Sequence, residues 1–228
     1  MTEIKRDAAH ALTPTRARAS AIGLIVILGS EYLLRDALIS KDASGLQIGI
    51  VLAVEWTIAL FLLLWWIPKV EGRKPGSIGF GAFRWKYVWI SVVSYVVYFL
   101  VAAGAEAGLK AAGLQGLRDL SPALRDYGLP LLFGLFLTGT FVEEIFYRGY
   151  VIERVSELTG RRWVAGLVSW VSFTLVHLRF FGLGPTLEVG IIGAVLVILY
   201  IRTRSIWPSM IVHGINDVFG FLIGPLFM

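Results

Sequence analysis

Apolar residues gather into seven long runs, with short polar stretches between them. A helix crosses the ~30 Å hydrocarbon core of a bilayer with about 20 mostly apolar residues. Ala21–Ile39, Leu46–Ile67, Trp85–Ala105, Leu129–Arg148, Trp163–Phe181, Thr186–Ile201 and Ile206–Phe227 approach or meet that length. The pattern predicts an all-α polytopic membrane protein of about seven transmembrane helices. The first run is the weakest, because Glu31, Arg35 and Asp36 interrupt it. A Glu31–Arg35 pair at i,i+4 would share one helix face and soften that cost. The segment Leu109–Tyr127 is too polar to span and reads as a loop or interfacial helix. Residues 1–19 read as a polar cytoplasmic tail, and residues 20–228 as one transmembrane helical domain. No small-residue cleavage site follows the first run, so it is not expected to be a signal peptide.

Composition agrees with that reading. Of 228 residues, 57% are hydrophobic and 16% charged, and the mean hydropathy is +0.74. Soluble domains carry about 45–50% apolar and about 25% charged residues. The absence of cysteine excludes disulfides, thiol catalysis and cysteine-ligated metals. The net charge of +5 would suggest nucleic acid in a soluble protein. In a membrane protein it reflects basic loops held on the cytoplasmic side, and no nucleic-acid partner is expected. With the N-terminus inside, fifteen of the 21 Lys and Arg residues fall on the cytoplasmic side. Only Arg35, Lys41, Lys110, Arg118, Arg125 and Arg179 fall outside. That split favours a cytoplasmic N-terminus and an external C-terminus, in a multi-pass protein of the cell membrane.

The informative residues are those that lipid should exclude. An ionisable side chain at the bilayer centre costs at least ~2.5–3.5 kcal/mol on insertion scales. The fourth run carries Glu143, Glu144 and Arg148, the fifth Phe173 and His177, and the seventh His213, Asn216 and Asp217. Of the three histidines, only His10 lies outside the runs. Glu144 and Arg148 sit at i,i+4 and can pair, which leaves Glu143, about 100° round the helix, to face something else. His213 and Asp217 also lie one turn apart, with Asn216 on nearly the same face. Phe173 stands one turn before His177 and can shield it. At ~1.5 Å per residue, His213 lies about 10 Å deep, Asp217 about 16 Å and His177 about 21 Å. Glu143 would be only ~8 Å deep if its helix ended at Arg148. No proline interrupts Val151–Leu158, so the fourth helix is predicted to continue to Thr159–Gly160. That extension places Glu143 at about 20 Å.

A carboxylate and a histidine flanking one water form a general-base pair, and donors on another helix can hold an oxyanion. This inventory suits peptide-bond hydrolysis inside the membrane. The sequence has no His-Glu-x-x-His zincin motif and no Gly-x-Ser-x-Gly elbow, and only Asp217 is deep enough for an aspartate dyad. Glu/His chemistry remains, with or without a metal.

Glu143-Glu144-x-x-x-Arg148, Phe173-x-x-x-His177 and His213-x-x-x-Asp217 follow one another on three late helices. The order and spacing resemble the CPBP (CAAX protease and bacteriocin-processing, or Abi) family of intramembrane endopeptidases, which includes the type II CAAX prenyl endopeptidase. The resemblance covers about residues 129–221. It implies a site within the bilayer and a membrane-associated or prenylated peptide as substrate. By that resemblance Glu143 and His177 activate water, His213 and residue 217 stabilise the oxyanion, and Glu144 with Arg148 supports the geometry. Family members carry Asn at the last position, where this chain has Asp217 and places Asn216 one residue earlier. Asp217 would then be protonated by its apolar setting, or would orient His213 while His213 and Asn216 donate.

No cofactor is expected in this reading. A zinc-dependent metalloprotease version would draw on Glu143, His177 and His213, with Glu144 and Asp217 as further donors. A proton-coupled transporter would also place Glu and His in the membrane, but paired repeats are not visible. A scaffold or immunity protein is the third alternative. Glu55 and Glu188 lie in runs without a motif and read as helix-packing or water-contact residues.

Overall fold

The computed structural model describes residues 13–38, the last four by backbone alone, together with 43–117, 124 and 126–224. Seven helices are long and apolar enough to cross a membrane, and the described residues contain no strand. They are α1 (Pro14–Leu38), α2 (Gly45–Val70), α3 (Lys86–Ala111), α4 (Leu129–Thr159), α5 (Arg162–Phe181), α6 (Leu183–Thr203) and α7 (Ile206–Ile223).

Local chemistry sets their ends. Thr13 accepts the Arg16 amide as α1 begins, so the helix starts within the stretch expected to be a polar tail. Residues 1–12 of that tail, with His10, lie outside the described residues, as do Lys41, Arg118, Arg125 and residues 225–227 of the last run. Ser44 and Gln47 form a capping box at the start of α2. That helix passes Pro68 and reaches Val70 by widening into a π-helical segment, Leu62–Val70. Winding i→i+5 changes which carbonyls need an amide, so the missing proline N–H does not end the helix. As expected, α4 runs on to Thr159, where Gly160 at φ 68° closes it in the left-handed conformation that glycine adopts most readily. The expected loop or interfacial segment after Leu109 is a last helical turn to Ala111 followed by turns, as far as it is described.

Two centres of packing hold the helices together. Phe146, Tyr147, Tyr150 and Ile152 of α4 form a core with Ile27 of α1, Ile67 of α2, Phe173 of α5 and Ile206 of α7. Tyr98 of α3, Leu196 of α6 and Val212 of α7 form a second. Every residue of Thr138–Val151 except Phe141 is buried, so α4 is the central helix, while α3 packs against α6 and α7. By contrast, Trp89, Val93, Phe99 and Leu100 on α3 are exposed to the surroundings, as a lipid-facing helix requires.

Candidate active site

The polar residues of α4 sit in its π-helical segment, Thr138–Val151. Segments of this kind are rare and often carry function, because the wider turn re-aims side chains. Glu144 and Arg148 are fully buried, with Arg148 Nη1 3.1 Å from Glu144 Oε1. The contact is an ion pair whose geometry falls short of an in-line hydrogen bond. Arg148 also donates from Nη2 to the Gly193 carbonyl at 3.4 Å and lies 4.1 Å from the centre of the Phe173 ring. The i,i+4 pairing expected from the sequence is therefore present, and a cation–π contact supports it.

Glu144 has a second partner. Its Oε1 lies 2.9 Å from His213 Nδ1, so one carboxylate oxygen joins the arginine of its own helix to the histidine of α7. The other face of that imidazole meets Asp217, with Nε2 3.6 Å from Oδ1. Asn216 Nδ2 donates to the same Oδ1 at 3.3 Å. His213 is thus braced on both nitrogens.

His177 closes the regular part of α5. Its Nδ1 lies 2.7 Å from the Phe173 carbonyl, and its ring packs between Phe173 at 4.8 Å and Phe181 at 5.4 Å. A carbonyl can only accept, so Nδ1 carries the proton and Nε2 of the neutral ring presents a lone pair. That Nε2 lies 3.9 Å from Glu143 Oε1. Phe173 also stands edge-on to His213 at 6.4 Å, so one aromatic ring touches both histidines and the arginine.

Exposure separates the two glutamates. Glu143, His177 and His213 keep 7%, 7% and 8% of their surface accessible, while Glu144 and Arg148 keep none. All five are buried, and only the first three retain any accessible surface. Six residues named from the sequence, Glu143, Glu144, Arg148, His177, His213 and Asp217, come together on α4, α5 and α7. Among the described residues, no three His, Asp or Glu side chains form a group that could hold a metal ion.

Residues 125–219 match the family model described as type II CAAX prenyl endopeptidase Rce1-like. That stretch is similar to the Rce1-like family. It spans α4 to α7 and contains all six site residues, while α1 to α3 lie outside the match. No curated protein and no solved structure gives a significant match. With seven helices long and apolar enough to span, and this similarity over α4 to α7, the chain is a multi-pass membrane protein.

Further residues stand around this site: Glu31 and Glu188 stand out in the sequence as carboxylates in apolar runs, whereas Ser169 and Trp56 do not. Ser169 donates to the Tyr147 carbonyl at 2.8 Å and ties α5 to α4 beside Arg148. Trp56 of α2 donates to Thr138 at 2.9 Å, one turn before Val142 and Glu143. Glu31 is buried on α1 and accepts from the Tyr147 hydroxyl at 3.4 Å; its expected partner Arg35 has no described side chain. Glu188 accepts the Leu117 amide at 2.8 Å, a packing role that pins the segment before α4 onto α6. Ser169 and Trp56 are ordinary residue types whose importance lies in where they meet, and no local pattern announces it.

Proposed function

We propose that the protein is an intramembrane endopeptidase. Its substrate is a membrane-associated or prenylated, CAAX-type peptide, and Glu143 and His177 activate the attacking water. The observation that carries this reading is the facing of Glu143 Oε1 and His177 Nε2 across 3.9 Å. Two acceptors at that separation can each take one hydrogen of the same water, which leaves its oxygen lone pairs aimed outward.

In the reaction, that oxygen bonds to the scissile carbonyl carbon as its proton passes to the Glu143–His177 pair. The carbonyl π electrons move to oxygen. When the C–N bond breaks, the pair returns the proton to the departing amine. His213, held between the Glu144 and Asp217 carboxylates, carries a proton on each nitrogen and shares its Nε2–H between Asp217 Oδ1 and the oxyanion, and the Asn216 amide is the second donor. Asp217 holds His213 in place, and the buried Glu144–Arg148 pair fixes His213 from the other side. No metal takes part in this scheme.

Purified protein in liposomes, given a prenylated CAAX-type peptide in ¹⁸O-labelled water, tests the proposal. Wild type should release a fragment whose new carboxyl carries the label. Glu143→Gln should lower the rate by about 10²–10⁴-fold, the ordinary worth of a general base. Full cleavage by Glu143→Gln would contradict the assignment. Activity is expected to survive exhaustive chelation, with the metal content checked by elemental analysis. Loss on chelation and recovery with zinc would replace this scheme with a metal-dependent one.

A further inference from the structure

Where α4 and α7 cross, two glycines face two polar side chains. Gly214 leaves room for Thr140, whose Cγ2 lies 3.0 Å from where a Gly214 methyl would stand. Gly139 does the same for Asp217: a methyl there would overlap Asp217 Oδ2 and would stand 3.7 Å from His213 Nε2. Asp217 is 4% exposed, and its Oδ2 has no hydrogen-bond partner among the described residues. Its Oδ1 receives Asn216 and faces His213. The carboxyl is therefore held by hydrogen bonding at one oxygen and by shape at the other. The shape is supplied by the bare backbone of α4.

We infer that Gly139 is a positioning residue of the site. Its missing side chain seats the Asp217 carboxyl against α4 and so keeps Oδ1 on the His213 imidazole. Asp217 is short and ends in a rotatable carboxyl, so an alanine at 139 can be accommodated by swinging that carboxyl aside. The cost is then paid in the placement of His213 rather than in the fold. A misplacement of about 1 Å in a catalytic group lowers turnover by about 10²-fold.

The test is a double-mutant cycle of Gly139→Ala and Asp217→Ala, read by thermal unfolding and by peptide hydrolysis. In an otherwise wild-type chain, Gly139→Ala should lower kcat about 100-fold with KM within about two-fold, and lower Tm by about 2–4 °C. On the Asp217→Ala background it should leave Tm unchanged or raise it, because the overlap is gone and alanine favours a helix. Equal thermal losses on both backgrounds, or an unchanged kcat in Gly139→Ala, would overturn the inference. The kcat reading rests on the proposed hydrolase activity, whereas the thermal reading does not. Thermal coupling without hydrolysis by any form would count against the protease reading alone.

Discussion

Glu143 and Glu144 are neighbours in the chain with opposite environments. Glu144 is fully buried between Arg148 and His213, whereas Glu143, also buried, keeps 7% of its surface accessible and faces His177. The two neutral substitutions should therefore separate. Glu143→Gln removes the proposed base, and its Tm should stay close to that of wild type. Glu144→Gln leaves a buried guanidinium without its counter-charge, a loss of about 3–5 kcal/mol. For a chain of this size that corresponds to a fall in Tm of roughly 6–20 °C, at about 2–4 °C per kcal/mol. Thermal unfolding of the two purified variants side by side checks this, and equal Tm values would contradict the assigned environments. At this scale the sequence was highly informative, because lipid makes each ionisable residue expensive and so exposes it. Gly139 was not legible, since a glycine carries no chemistry and its importance appears only when Asp217 arrives from another helix.

Spans are legible in a sequence because hydrophobicity alone sets them, and their ends are less so because caps and packing set those. The continuation of α4 past Arg148 was predictable from the depth of its glutamate, and packing explains how that end is held. Arg154, fully buried, engages Glu71 from Nε at 2.9 Å and Ser77 from Nη2 at 2.8 Å. Tyr150 donates to the same Glu71 at 2.6 Å and accepts from Trp66 at 3.2 Å. Arg73 pairs with Glu157 beside them. This cluster fastens the segment after α2 to the last turns of α4, some 80 residues away in sequence, and such a partnership has no local signature. Arg154→Ala should cost about 3–5 kcal/mol through the stranded Glu71 carboxylate. Glu71→Gln/Arg154→Met should recover much of it, since a well-packed neutral pair can replace a buried ionic one. Chemical or thermal unfolding of both variants measures the difference, and a double variant no more stable than Arg154→Ala would contradict this account of the cluster.

Across the whole molecule, the distribution of Lys and Arg predicts a cytoplasmic N-terminus and an external C-terminus. The chain has no cysteine, so single-cysteine variants can be labelled without a background. Lys74→Cys and Arg204→Cys should react with an impermeant maleimide only after the membrane is opened, and Lys110→Cys in intact cells. The reverse pattern would invert the topology and the side from which a substrate enters. α1 to α3 lie outside the matched family segment, yet Ile27, Trp56, Ile67 and Tyr98 from them close the core around α4 to α7. The central claim is narrower: Glu143, His177 and His213 converge on one accessible point in the membrane and cut a peptide bond there. Mass spectrometry of membrane peptides from cells carrying either wild-type protein or Glu143→Gln tests it most directly. The account predicts at least one fragment present with the wild type and missing with the variant, its end marking the cleaved bond. Identical peptide sets, with both proteins present in equal amount, would contradict it.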